Sequence, residues 1–170
     1  MNLKYLFLAL LSVTFLCSFK LVKVTDVNSY SYEISDDCKA TIKDNISGLN
    51  EMNVIHYCVQ LTSNYLEFSK CNAIDKGKAN CVGYSKLCKS MCQYAFQENG
   101  MYCKVRHVRG YVSGWGLNLC DLATRLVPAE YKNYVKDHDF IEIELCEMYI
   151  YIDPSLYDLI NDDCITIKYK

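Results

Sequence analysis

The chain has 170 residues, a length that fits one domain, and about half of them (51%) are apolar, enough for a real core. A net charge of −2, with no basic stripe, argues against binding to nucleic acid or to an anionic membrane surface.

The first twenty residues stand apart. Lys4 precedes an unbroken apolar run from Tyr5 to Phe19, which ends at Lys20. A basic start followed by an apolar core of this length describes a secretory signal. As a helix it reaches about 22 Å, short of the roughly 30 Å of a bilayer interior. No clean small-x-small cleavage site follows, so residues 1–20 are expected to be a signal peptide or a membrane anchor. Cys17, preceded by the bulky Phe15 and Leu16, is a poor lipidation site.

Residues 21–37 are polar and rich in Ser and Asp, and are expected to be a linker. Residues 38–50 allow a short helix ending near Gly48. A stronger helix is expected over 53–68, where Val54, Cys58, Leu61, Tyr65 and Phe68 recur at steps of three and four. Residues 69–80 read as a loop around Gly77. Another helix is expected over 81–97, with Asn80 in the N-cap position and Asn99-Gly100 as its stop. Composition turns to strand from Met101 to Val112. Residues 113–136 keep no usable period and suggest an irregular connection with a helical turn or two.

The clearest β signal comes last. Ile141, Ile143 and Leu145 alternate with Phe140, Glu142 and Glu144, and then Met148, Ile150 and Ile152 alternate with Tyr149, Tyr151 and Asp153. With Cys146-Glu147 as a two-residue turn, Ile143 faces Ile150 and Ile141 faces Ile152. On the other face Phe140 then stands opposite Asp153, and His138 becomes a diagonal neighbour of Asp153 about 7–8 Å away at the backbone, within side-chain reach.

Eleven cysteines are present, ten of them beyond the leader. Export would favour disulfides, but the connectivity is unreadable, and no C-x-x-C pair suggests a zinc ribbon. Neither a metal nor a cofactor is expected. Cys81 is distinctive because it opens a helix, where the free N–H groups and the dipole stabilise a thiolate. Gly83 in the same first turn suggests close packing there. A carboxylate at Asp153 holding one nitrogen of His138 would leave the other for that thiol. His107, on the strand after the nucleophile helix, is set aside because no acid is expected near it. His56 is read as a satisfied helix imidazole, and Trp115 as either a cleft or a packing residue.

Three segments resemble the transglutaminase-like superfamily: NCVGYSKLC (80–88), similar to its Cys-x-Gly-Tyr nucleophile motif; HDFIEIEL (138–145), similar to its His-Ala-Trp strand with Phe140 in place of Trp; and YIDPS (151–155), similar to its Asp-Pro-Thr motif. The fifteen-residue interval from His138 to Asp153 also matches that family. The resemblance covers roughly residues 50–156. It implies an α+β fold with a papain-like core, in which N-terminal helices pack on an antiparallel sheet built from 101–112, 138–146 and 148–154, and a single domain over 38–170.

The resemblance further implies that Cys81 is the nucleophile, His138 the general base and acid, and Asp153 the orienting carboxylate. The chain would be an exported thiol enzyme acting on peptide or amide bonds of a protein or peptide, with hydrolysis favoured over cross-linking. Gln60 and Asn64 are the upstream candidates for a second oxyanion donor. The alternatives are a binding module on the same fold with the triad unused, and a small cysteine-rich structural protein.

Overall fold

The computed structural model describes residues 20–114, 116–129, 132–160 and 165–170. The leader and Trp115 lie outside them, and so do the readings made of them. Among the described residues no helix is long and apolar enough to cross a membrane.

The order is β1 (Lys20–Asp26), α1 (Asp36–Ile46), α2 (Glu51–Tyr65), β2 (Glu67–Phe68), a 3₁₀ turn (Ile74–Lys76), β3 (Lys78–Ala79), α3 (Cys81–Glu98), β4 (Lys104–Gly114), β5 (Leu117–Asn118), α4 (Leu119–Leu126), α5 (Lys132–Val135), β6 (His138–Glu144), β7 (Met148–Ile152), α6 (Pro154–Ile160) and β8 (Ile165–Tyr169). The class is mixed α+β, as expected, with a curled antiparallel sheet.

The helices start where their caps say. The side chains of Ser35, Asn50 and Asn80 accept backbone N–H bonds at the starts of α1, α2 and α3. The apolar stripe of α2 buries Val54, Ile55, Cys58, Val59 and Leu61. α3 is buried along Tyr84, Leu87, Cys88, Met91, Cys92 and Ala95, because it lies between the other helices and the sheet.

The main sheet has the order β1-β4-β6-β7-β8, with β5 added on β4. One face carries Val105, Ile141, Ile143, Ile150 and Ile152 into the core shared with the helices. The other face curls around Leu21, Val108, Val112, Phe140, Tyr151 and Leu156. The curl brings the two edge strands together, and the Leu21 N–H donates to Thr166 Oγ1 at 2.8 Å. Inside it, the buried carboxylate of Glu142 is neutralised by Lys23 (3.0 Å) and Arg106 (2.7 Å).

Two expectations need correction. Residues 21–26, the first part of the expected linker 21–37, belong instead to an edge strand, Lys20–Asp26, paired along β4. The segment after this strand is strapped down as well: Tyr32 N–H donates to Ser90 Oγ at 2.8 Å, and Lys89 Nζ donates to the Ser29 carbonyl at 2.8 Å. Lysines at 20 and 23, three apart, break the alternation of Leu21, Val22 and Val24 and masked the strand. The sheet also exceeds the three strands expected. Gly110 explains part of this, since a Cβ there would lie 1.8 Å from the Val22 carbonyl oxygen. Only a glycine lets β1 approach β4 so closely. Gly110→Ala should therefore push β1 off the sheet and cost on the order of 2 kcal/mol or more in urea unfolding; an unchanged unfolding midpoint would show that β1 contributes little to the fold.

Candidate active site

Cys81, His138 and Asp153 come from three separate elements: the first residue of α3, the first residue of β6 and the residue after β7. The hairpin register is the one read from alternation, with Ile141 opposite Ile152 and Ile143 opposite Ile150. The Leu145 N–H closes it on the Met148 carbonyl at 2.9 Å. That register delivers Asp153 to His138, and the imidazole Nε2 is hydrogen-bonded to Asp153 Oδ2.

Asp153 is wholly buried. Its second oxygen accepts from the Ser155 N–H (3.0 Å), Ser155 Oγ–H (2.7 Å) and Leu156 N–H (3.1 Å), so the carboxylate also caps α6. One oxygen is thus locked by a helix start while the other holds the ring. The Cys81 thiol lies within electrostatic range of the ring. The His138 side chain is 13% exposed, so the trio is open to solvent at one edge. The pKa of His138 is pushed well above the usual imidazole value: burial opposes the charged ring, but the charges of Asp153 and Cys81 and their hydrogen bonds outweigh it.

The start of α3 is built to present the sulfur. Asn80 Oδ1 takes the N–H groups of Val82 (3.0 Å) and Gly83 (3.4 Å), which leaves the Cys81 N–H outside the cap. Asn72 Oδ1 accepts the Asn80 N–H at 3.1 Å, tying the preceding loop to the cap. A Cβ on Gly83 would stand 2.7 Å from that same Asn72 oxygen and 2.6 Å from Ala79 Cβ, so the close packing suspected at Gly83 is real. Tyr84, fully buried, donates to Asp158 Oδ2 and the Leu66 carbonyl, both at 2.8 Å. It thereby ties the helix bearing the thiol to the helix that follows the acid.

Gln60 and Asn64 stand exposed on α2, and among the described residues neither is in hydrogen-bonding contact with Cys81 or His138. The expectation that no acid lies near His107 is wrong. Asp139 Oδ2 is 2.9 Å from His107 Nε2, and Arg109 binds the same carboxylate through Nε (2.6 Å) and a terminal nitrogen (3.2 Å). The pairing comes from the β4–β6 register, Arg109 opposite Asp139 and His107 opposite Ile141, which alternation within β6–β7 does not reveal. His107 and Asp139 are both 1% exposed, buried under α3, where no substrate reaches them. Cys120 was also missed: it is buried at the start of α4 and sits within electrostatic range of His138 and Cys81.

Among the described residues the nine cysteines are all unpaired, and no group of three His, Cys, Asp or Glu is arranged to hold a metal ion. Cys58, Cys88 and Cys92 are all buried in the helical core, where the neighbouring Cys58 and Cys88 thiols and burial push the Cys92 thiol well up. Compared with protein-family models and with curated proteins, the chain matches none.

Asp139 gives an acid signature. Burial raises its pKa, but the bonds from His107 and Arg109 lower it further, to about 2, below the ordinary 3.8. A depressed folded-state value contributes stability above the unfolded value that is lost as pH falls through the folded one. Unfolding free energy should therefore drop by roughly 2 kcal/mol between pH 5 and pH 2 on account of this group. In Asp139→Asn that portion of the acid slope should vanish in denaturation series; an unaltered slope would mean that other carboxylates carry it.

Proposed function

We propose that this chain is a thiol enzyme of the transglutaminase-like kind that hydrolyses or transfers acyl groups at peptide or amide bonds, with Cys81 as nucleophile, His138 as proton carrier and Asp153 as orienting acid. One observation carries the reading: a single imidazole, open to solvent at one edge, is hydrogen-bonded to a buried carboxylate and lies within electrostatic range of the thiol of a helix's first residue. Helix N–H groups and an imidazolium both favour the thiolate, which is the reactive form.

In this mechanism the Cys81 sulfur bonds to the carbonyl carbon and the oxygen becomes an oxyanion, with the Cys81 N–H as one donor toward it. The imidazolium of His138 gives its proton to the departing nitrogen, the C–N bond breaks, and a thioester remains. Water, or an amine, then loses a proton to His138 as it attacks the thioester, the C–S bond breaks, and the acyl product is released with a thiolate and an imidazolium restored. Asp153 keeps the ring in the orientation and tautomer that both half-reactions need. Hydrolysis is the favoured outcome, since no feature of the site selects an amine over water.

A second reading has its own support. Neither upstream candidate donor stands at the thiol, and a site without a full oxyanion hole suits a peptide-binding module on the same scaffold. As to location, the leader favours export and an extracytoplasmic site of action, whereas nine unpaired described thiols favour a reducing compartment. Thiol counting on non-reduced protein separates those two.

The exposed Cys71 and Cys146 also alkylate, so labelling must be resolved by peptide mapping and run near pH 6, where ordinary thiols are protonated. Under those conditions iodoacetamide should modify Cys81 first, and His138→Ala should slow that reaction roughly ten- to a hundredfold. Hydrolysis of a peptide library should fall about 10²-fold or more in Cys81→Ala and His138→Ala. A Cys81 no faster than Cys71 would leave the binding module as the better reading.

A further inference from the structure

We infer that the corner formed by β5 and α4 is a membrane-facing surface, on which Leu117, Leu122 and Leu126 rest against a bilayer that residues 1–19 tether the chain to. The inference does not depend on the catalytic reading. It takes the leader as a retained anchor and adds the part of the folded domain that the lipid meets.

The three leucines are open to solvent: Leu117 is 57% exposed, Leu122 37% and Leu126 55%. α4 buries Cys120 and Ala123 and turns Leu122 and Leu126 outward, one turn apart on the same side. Asp121 and Arg125, also exposed, take the side next to them. A helix with an uncovered apolar side beside a charged one suits the plane of a lipid–water interface.

The point at which the leader joins the fold places a bilayer there. The apolar run Tyr5–Phe19 lies outside the described residues, and Lys20 is the first residue of β1. Lys20 stands opposite Ser113 on one side of β4, while Asn118 stands opposite Ser113 and Leu117 opposite Gly114 on the other. Two strand spacings, about 10 Å, therefore separate the end of the apolar run from the residue that caps α4. Leu119, the first residue of α4, packs against the cluster that contains Leu21, which holds the helix beside β1. Lys20 is exposed, as suits a cation at headgroup level next to an apolar segment. With a net charge of −2 the chain has no pull toward anionic lipid, so the contact is apolar and a neutral bilayer suffices.

The far end of the same strand supplies the comparison. β4 runs from Lys104 to Gly114, roughly 30 Å, and the fully exposed Tyr102 lies just before its start.

The test uses the full chain and vesicles of neutral phosphatidylcholine whose acyl chains carry bromine, a contact quencher of tryptophan. Trp115 is the only tryptophan, so in a Trp115→Phe background one reporter is introduced at a time, by Leu126→Trp or by Tyr102→Trp. The chain should sediment with the vesicles. Emission from position 126 should fall about twofold or more on brominated lipid, because an interfacial helix sits roughly 5–10 Å deep, and emission from position 102 should stay unchanged. Adding Leu117→Asn and Leu122→Asn should restore most of the emission at 126 while the leader keeps the protein bound. The parent's own Trp115, between Gly114 and Gly116, reads the same corner with no substitution and should be quenched too. Bound protein with positions 115 and 126 unquenched, or quenched no more than position 102, overturns the inference. A full chain that stays in solution beside the vesicles overturns it as well.

Discussion

The β6–β7 register is the constraint on which the site depends. Ile141, Ile143, Ile150 and Ile152 are all buried on one face, and a slip of one residue would turn them toward the other. Burying that quartet is worth several kcal/mol, which outweighs anything the polar residues of the hairpin contribute. The position of Asp153 beside His138 is therefore set by aliphatic packing. No attraction between the two polar groups is needed to bring them together; it only fixes how they meet.

A second constraint orients the sulfur. Asn80 caps α3, Asn72 braces Asn80, and Gly83 leaves room for that brace. Tyr84 then links α3 to α6, the helix whose own cap is Asp153. The helix that begins with Cys81 and the residue Asp153 are thus linked twice, through the surroundings of His138 and through a buried tyrosine. The second link lies away from solvent, so it holds the distance between the two helices without taking part in proton transfer.

Legibility in the sequence was a matter of range. The hairpin, the Asn80 cap and the packing at Gly83 are all decided within about twenty residues, where alternation and cap chemistry are strong signals. β1 was hidden because its pairing with β4 spans roughly ninety residues, and because Lys23, which reaches inward to Glu142, breaks the apolar pattern of its inner face. The Asp139–His107 pair was hidden for a related reason. It needs the β4–β6 register, and the irregular stretch between those strands gives no turn from which to count. Cys120 lacked any local mark beyond an asparagine two residues earlier, which turned out to cap α4.

Adjacent residues His138 and Asp139 point to opposite faces of one strand, and each joins a carboxylate–imidazole pair. The two pairs face different tasks because of their surroundings. Asp139 and His107 are buried, and an arginine neutralises the carboxylate. Asp153 and His138 have no arginine. Their balancing charge comes from backbone N–H groups at a helix start on one side and from a thiol able to ionise on the other. A carboxylate held by neutral donors keeps its full demand for a positive imidazole, and a positive imidazole lowers the cost of a thiolate. The same two side-chain types thus give a structural clamp where the third partner is a fixed cation and, under the function proposed above, a proton-carrying unit where the third partner is a thiol.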